Sequence, residues 1–172
     1  SDSFGASVRL LGNGDTLAIG ANTRDFNRTG SSSITNTGAV YVFTRSGTTW
    51  TQEAILEASL GTNTNGRIVS ETFGSSISAD GTNGRIAVGV QGHDFNSIGS
   101  LSVANAGAVF IYTRAGATWT LRQKLTSTGT NARATSNEVF GYSTEVSGDL
   151  LFVGARRFPY DSTGSNSILS AG

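Results

Sequence analysis

The feature that most restricts this sequence is that it repeats itself. Residues 14–51, GDTLAIGANTRDFNRTGSSSITNTGAVYVFTRSGTTWT, are rewritten as residues 83–120 and begun a third time at Gly148. Anchored on Phe-Gly, the copies start at Phe4, Phe73 and Phe140, a period of roughly 70 residues. Anchored on the glycine that ends an apolar run, they align at Gly20, Gly89 and Gly154. From there they run without a gap through Gly30, Gly99 and Gly164 to Gly38, Gly107 and Gly172. Self-similarity at a fixed period means one structural unit used several times. The chain therefore reads as a single region of three repeats, 1–69, 70–136 and 137–172, the last incomplete.

Each copy holds short apolar runs separated by Gly, Asn, Ser and Asp, with no helical period of useful length, which predicts strands and turns. The runs are 4–10, 16–21, 39–44 and 50–57 in the first copy, and 73–79, 85–90, 108–113 and 119–126 in the second. The third offers 140–146 and 150–155. In AVYVF and AVFIY both alternating faces are apolar, so that strand is covered on both sides. The fourth run, TQEAILE or TLRQKLT, is more mixed and stands nearer solvent. LAIGA, IAVGV and LFVGA are small and carry a glycine near their end, which fits a place where backbones crowd together.

The third and fourth runs are joined by Arg45-Ser-Gly-Thr-Thr-Trp50 and Arg114-Ala-Gly-Ala-Thr-Trp119, short glycine-containing hairpins with Arg and Trp facing each other at the base. A guanidinium over an indole is worth about 0.5–1 kcal/mol at an exposed site. Trp50 and Trp119 are expected to clamp these hairpins; the alternative is a stacking platform for a sugar ring.

Composition narrows the partners. Lys and Arg number 12 and Asp and Glu 12, with no basic run, so nucleic acid and anionic membrane are excluded as expected partners. No apolar segment approaches the ~18 residues of a membrane span, so no membrane insertion is expected. Without cysteine there is neither a disulfide framework nor a thiolate metal site. The Ser, Thr, Asn and Gly style is that of secreted bacterial proteins. With Ser1 first and no methionine anywhere, the N-terminus reads as a processing boundary.

Four-stranded antiparallel units repeated along a chain, each covered by its neighbours, describe blades of a β-propeller, with a β-solenoid as the other option. At this level the residues are similar to a known family. Phe4-Gly5, Gly20-Ala21, the polar loop with Asp25-Phe26-Asn27, and Gly38-Ala-Val-Tyr-Val-Phe43 resemble the FG-GAP repeat of the integrin α-subunit β-propeller, most closely its bacterial secreted form. The resemblance implies an all-β fold of about two and a half blades, a part of a larger or oligomeric propeller. It also implies a phase. The Phe-Gly run would be the outer strand of one blade, so that 16–79 and 85–146 form blades, 4–10 is left as a lone outer strand and 150–155 as a lone inner one. Open blade edges at both ends would allow self-association.

The same resemblance implies calcium in the loop after the second run, through a D-x-D/N-x-D/N-G-x-x-D pattern, since Ca²⁺ takes six to eight oxygens, several of them anionic. The candidates are Asp25, Asn27, Thr29 and Ser33 in the first loop, Asp94, Asn96 and Ser102 in the second, and Asp161, Thr163 and Ser167 in the third. Each loop keeps one carboxylate, and Ile98 and Pro159 stand where ligands should. The competing expectation is an Asx-turn loop whose Asp and Asn satisfy their own backbone. No catalytic residue is assigned. His93, the only histidine, lacks a companion motif and reads as a surface loop residue, and Arg156-Arg157 as solvated loop charge. Glu53 and Glu57, four apart on a strand, are roughly 13 Å apart on one face, too far for a retaining carboxylate pair.

These readings point to a non-catalytic extracellular or cell-surface interaction module that binds a protein or glycan ligand through its loops. The alternatives are a structural subunit of a surface filament, sheath or matrix, joined by strand addition, and an appendage of a larger secreted enzyme.

Overall fold

A computed structural model describes residues 2–12, 14–25, 35–58, 71–94, 103–127 and 137–157. The described residues form strands and no helix. The first copy supplies β1 (Phe4–Leu11), β2 (Thr16–Ala21), β3 (Ala39–Ser46) and β4 (Thr49–Leu56). The second supplies β5 (Phe73–Asp80), β6 (Arg85–Val90), β7 (Ala108–Ala115) and β8 (Thr118–Leu125). The third supplies β9 (Phe140–Ser147) and β10 (Leu150–Ala155). Every apolar run of the sequence is a strand; β1, β3, β5, β7 and β9 run a residue or two further than expected, and β4 and β8 start and end one residue earlier.

The strands make three antiparallel sheets, β1-β2-β3-β4, β5-β6-β7-β8 and β10-β9. This corrects the phase carried over from the resemblance. The Phe-Gly strand belongs to the sheet of the three runs that follow it, so β1 is no lone outer strand and β10 no lone inner one. Chain geometry enforces this, because only residues 12–15 separate β1 from β2, a hairpin link. The pairing is continuous from Leu11↔Thr16 to Ser7↔Gly20, then jumps a bulge to Phe4↔Ala21; β5 and β6 repeat this register.

The sheets fan out from their first strands. β1 lies against β5 and β5 against β9, whereas β4 and β8 barely meet. Arg9 of β1 reaches Glu145 of β9, N to O 2.6 Å, so these two first strands come within side-chain reach of each other. Parallel bridges Gly38↔Phe73 and Gly107↔Phe140 fasten β5 and β9 to the preceding sheet.

The core fills the gap between the first two sheets. Ala18, Val40, Val42 and Leu56 from one side meet Phe73, Ile77, Ile86, Val88, Phe110 and Tyr112 from the other. β7 is apolar on both faces because Phe110 and Tyr112 turn towards the first sheet while Val109 turns towards Gly141 of the third. In LAIGA and IAVGV the glycine is where backbones crowd, as expected, whereas Gly154 of LFVGA meets only Ser143 of its own sheet. A Cβ on Gly20 would lie within 3.0 Å of the Gly74 carbonyl oxygen, and one on Gly89 equally close to that of Gly141. Such approach is open only to glycine.

Candidate functional site: the loop-bearing rim and its repeat junctions

The rim is built where β2 ends and β3 begins. In the first copy Asp25 Oδ1 accepts the backbone N–H of Asn36 at 3.0 Å; in the second Asp94 Oδ1 accepts that of Asn105 at 2.7 Å. Both asparagines are left-handed, φ 53° and 49°, a conformation asparagine tolerates better than most side chains. Their carbonyls then accept from the next copy: Thr72 N–H to Asn36 at 3.0 Å, Val139 N–H to Asn105 at 3.1 Å. Each loop carboxylate therefore fixes a corner that clasps the following repeat. Each of these bonds spans eleven residues, so it ties the two ends of the segment together and is not a local Asx turn.

The remaining loop candidates, Asn27, Thr29, Ser33, Asn96, Ser102, Asp161, Thr163 and Ser167, lie outside the described residues. Among the described residues no group of three or more His, Cys, Asp or Glu is placed to hold a metal ion.

Trp50 and Trp119 sit opposite Arg45 and Arg114 in the strand register, each guanidinium 5.8 Å from the indole centroid. The hairpin clamp is thus present in both copies, but the two tryptophans differ. Trp50 is 41% exposed. Trp119 donates its Nε1–H to Glu53 Oε1 at 2.8 Å, and Glu53 also pairs with Arg114. Glu53 reaches them because it is the extra residue of a β-bulge, between the pairs Val42↔Ala54 and Phe43↔Gln52. It ties the first sheet to the second.

Three sequence readings need correction. His93 is buried, not a surface residue: its Nδ1 lies 3.0 Å from Glu71 Oε2, with both side chains almost fully enclosed and the ring edge-on to Phe110. Apolar neighbours exclude water there, so a histidine is tolerated because a carboxylate meets it. Glu57 lies one residue beyond β4 rather than on the strand; it pairs with Arg24, which sits over Tyr41. Glu53 and Glu57 thus serve separate ion pairs. Arg156 is not merely solvated, since its guanidinium stands 5.3 Å from the Tyr142 ring.

The sequence reading missed the acid two residues before each Phe-Gly. Asp2, Glu71 and Glu138 recur at that position; Asp2 is exposed, whereas Glu71 and Glu138 are buried. Glu138 accepts from Ser127 Oγ, and the Glu71 and Glu138 carbonyls accept Gly92 and Arg157 N–H at 3.1 Å each. The residue between acid and phenylalanine is left-handed in all three copies, Ser3, Thr72 and Val139. The signal available was the alignment itself, D-S-F-G, E-T-F-G and E-V-F-G. Lys124 lies near this group: burial lowers its pKa and the Glu71 charge opposes that shift.

A cleft of about 240 Å³ between the second and third sheets is lined by Arg85, Ile111, Arg122, Val146, Asp149 and Leu151, with Arg85 paired to Asp149 at 2.8 Å. The chemistry of rim and cleft is that of structural ion pairs and backbone clasps. No protein-family model matches the chain, and a search of curated proteins finds no relative.

Proposed function

We propose that the three sheets are FG-GAP-type blades of a β-propeller and that the chain is a non-catalytic interaction module, extracellular or at the cell surface, whose rim loops meet a protein or glycan ligand. The fan of sheets around adjoining first strands supports the propeller reading, since radial repetition is how such sheets cover one another. The observation that carries the functional reading is the use of Asp25 and Asp94. Asp25 and Asp94 are each spent on a rigid corner, so the segments 26–34 and 95–102, with three serines each, are bounded by fixed ends, an arrangement suited to presenting a binding surface from a stable scaffold.

Replacing both loops with Gly-Ser segments of equal length tests this. Binding to an array of immobilised oligosaccharides and purified matrix glycoproteins should be lost while the melting temperature stays within a few degrees. Binding that survives the replacement, or an unmodified chain that binds nothing on the array, counts against loop-mediated recognition. The second reading, a structural subunit of a filament, sheath or matrix, is favoured by a separate observation, the exposed apolar side chains of Phe4, Val8 and Leu10 on β1.

A further inference from the structure

Among the described residues, Asn22, Asn36, Asn105 and Asn137 each precede a residue with a side chain, whereas Asn83 precedes Gly84. This pair lies in the turn 81–84 that joins β5 to β6, and Asn83 is exposed there. The amide carbon of an asparagine is open to attack by the backbone nitrogen of the next residue. A side chain on that residue stands in the way, and glycine has none. Gly84 is left-handed, φ 57°, and among the described residues its N–H has no hydrogen-bond acceptor. The nitrogen that would attack is therefore uncovered, and it is one residue from its target.

The amide also holds the turn together. Asp80 Oδ2 accepts Asn83 Nδ2–H at 2.6 Å, and Asp80 Oδ1 accepts the Thr82 N–H at 2.9 Å. The Asn83 bond foremost keeps the Asp80 carboxyl below its ordinary range, so an ionised carboxylate faces the amide. The same turn is wedged between the other two repeats. A Cβ on Gly81 would lie 2.1 Å from the Gly12 nitrogen, in the turn between β1 and β2. Arg85, two residues beyond Asn83, donates to the Gly148 carbonyl and to Asp149 at 2.8 Å each, in the turn between β9 and β10. A reaction at the exposed Asn83 thus acts on a backbone that has no slack on either side.

We propose that Asn83 is a site of spontaneous deamidation through Gly84, and that the change loosens the β5–β6 turn from its neighbours. The Gly84 nitrogen gives its proton to solvent and bonds to Asn83 Cγ, closing a five-membered imide. The Cγ–Nδ2 bond breaks, and Nδ2 takes up a proton and leaves as ammonia. Water then adds to one of the two imide carbonyls and opens the ring, and nothing is oxidised or reduced. Opening at one carbonyl gives aspartate; opening at the other gives isoaspartate, whose main chain runs through the former side chain. Either product sets a carboxylate, which only accepts, where the amide donated to Asp80, so a hydrogen bond becomes a repulsion between like charges. Isoaspartate also lengthens the backbone by a methylene two residues from Gly81, where the Gly12 backbone leaves no room. The proposal is independent of what the rim loops bind.

Ageing the folded chain in warm, mildly alkaline buffer, followed by tryptic peptide mapping, tests the site. Peptide 68–85 carries Asn83 as its only side-chain amide, and peptide 29–45 carries Asn36 as its only one. Peptide 68–85 should exchange amide for acid by mass and split into aspartate and isoaspartate forms well ahead of peptide 29–45. The aged chain, and a fresh Asn83→Asp variant, should melt below the fresh unmodified chain. Asn83→Gln needs a larger ring for the same attack and should keep its melting temperature through the ageing; Asn83→Ser replaces it if that variant does not fold. A peptide 68–85 that keeps its amide, or converts no faster than 29–45, would overturn the site. A converted chain that melts with the fresh one, or an Asn83→Gln chain that loses stability in step with the unmodified one, would overturn the loosening.

Discussion

The carbonyl of Gly74 occupies the space that a side chain on Gly20 would need. Between those two glycines the second sheet approaches the first closely enough for Ser7 Oγ to reach the same carbonyl at 2.7 Å. Gly20→Ala forces β5 away from β2 and strains a well-packed junction, which costs roughly 1–3 kcal/mol. At this chain length that lowers the melting temperature by about 2–4 °C per kcal/mol. Gly154→Ala is the internal control, because only the rotatable Ser143 side chain stands nearby. Differential scanning calorimetry should show a clear drop for the first and almost none for the second; equal drops would mean that the close approach of Gly74 is not what requires glycine at position 20.

The loop carboxylates give a second prediction. Asp25→Asn keeps an oxygen to accept the Asn36 N–H and should leave stability nearly unchanged, whereas Asp25→Ala removes it and should cost about 1 kcal/mol. Millimolar calcium should not raise the melting temperature of the unmodified chain, since an added ligand stabilises only through a site it fills. A calcium-dependent rise abolished by Asp25→Asn would instead assign the first loop to metal binding.

Much of this was legible in the sequence, and the reasons differ by element. The positions of the strands followed from the repeat and from alternating apolar residues, and the crowding at Gly20 and Gly89 from glycines placed in otherwise apolar strands. The grouping of strands into sheets did not follow from periodicity, because a period-2 pattern says which face a residue takes and not which neighbour it pairs with. The resemblance supplied a phase, and the short link 12–15 argues against it. The burial of His93 was hidden because its partner Glu71 lies 22 residues away and on the preceding edge of the same repeat. Glu53 looked like one of a carboxylate pair; the bulge that turns it towards Arg114 and Trp119 leaves no mark in the local sequence.

The two tryptophans, equivalent in sequence, should respond differently to substitution. Trp119→Phe removes a hydrogen bond to the enclosed Glu53 carboxylate and should cost about 1.5–3 kcal/mol, the range for bonds to charged groups. Trp50→Phe keeps an aromatic face under Arg45 at an exposed hairpin and should cost under about 1 kcal/mol. Urea midpoints at constant slope measure both. A Trp50 substitution as costly as that of Trp119 would show that the hairpin clamp outweighs the tie between sheets.

Alkaline pH should loosen the same junction through Tyr112. Its hydroxyl donates to the Glu57 carbonyl, and burial, with the Glu57 charge, raises its pKa well above the ordinary tyrosine value of 10.0. A raised folded-state pKa contributes stability that is complete below the unfolded pKa and is lost as pH climbs past it, because the unfolded chain releases the proton first. Lys124 acts in the opposite sense. Burial lowers its pKa, so the folded state gives up that proton before the unfolded one, and stability rises with pH up to the unfolded value near 10.5. Comparing the unmodified chain with Tyr112→Phe cancels Lys124, which both share. At neutral pH the variant should be about 1 kcal/mol less stable for the lost hydrogen bond. Above pH 10 the gap should narrow as only the unmodified chain pays for keeping its tyrosine protonated. Chemical denaturation at stepped pH gives the curve, and a gap that stays constant through pH 11 would mean that Tyr112 ionises as readily in the folded chain as in the unfolded one.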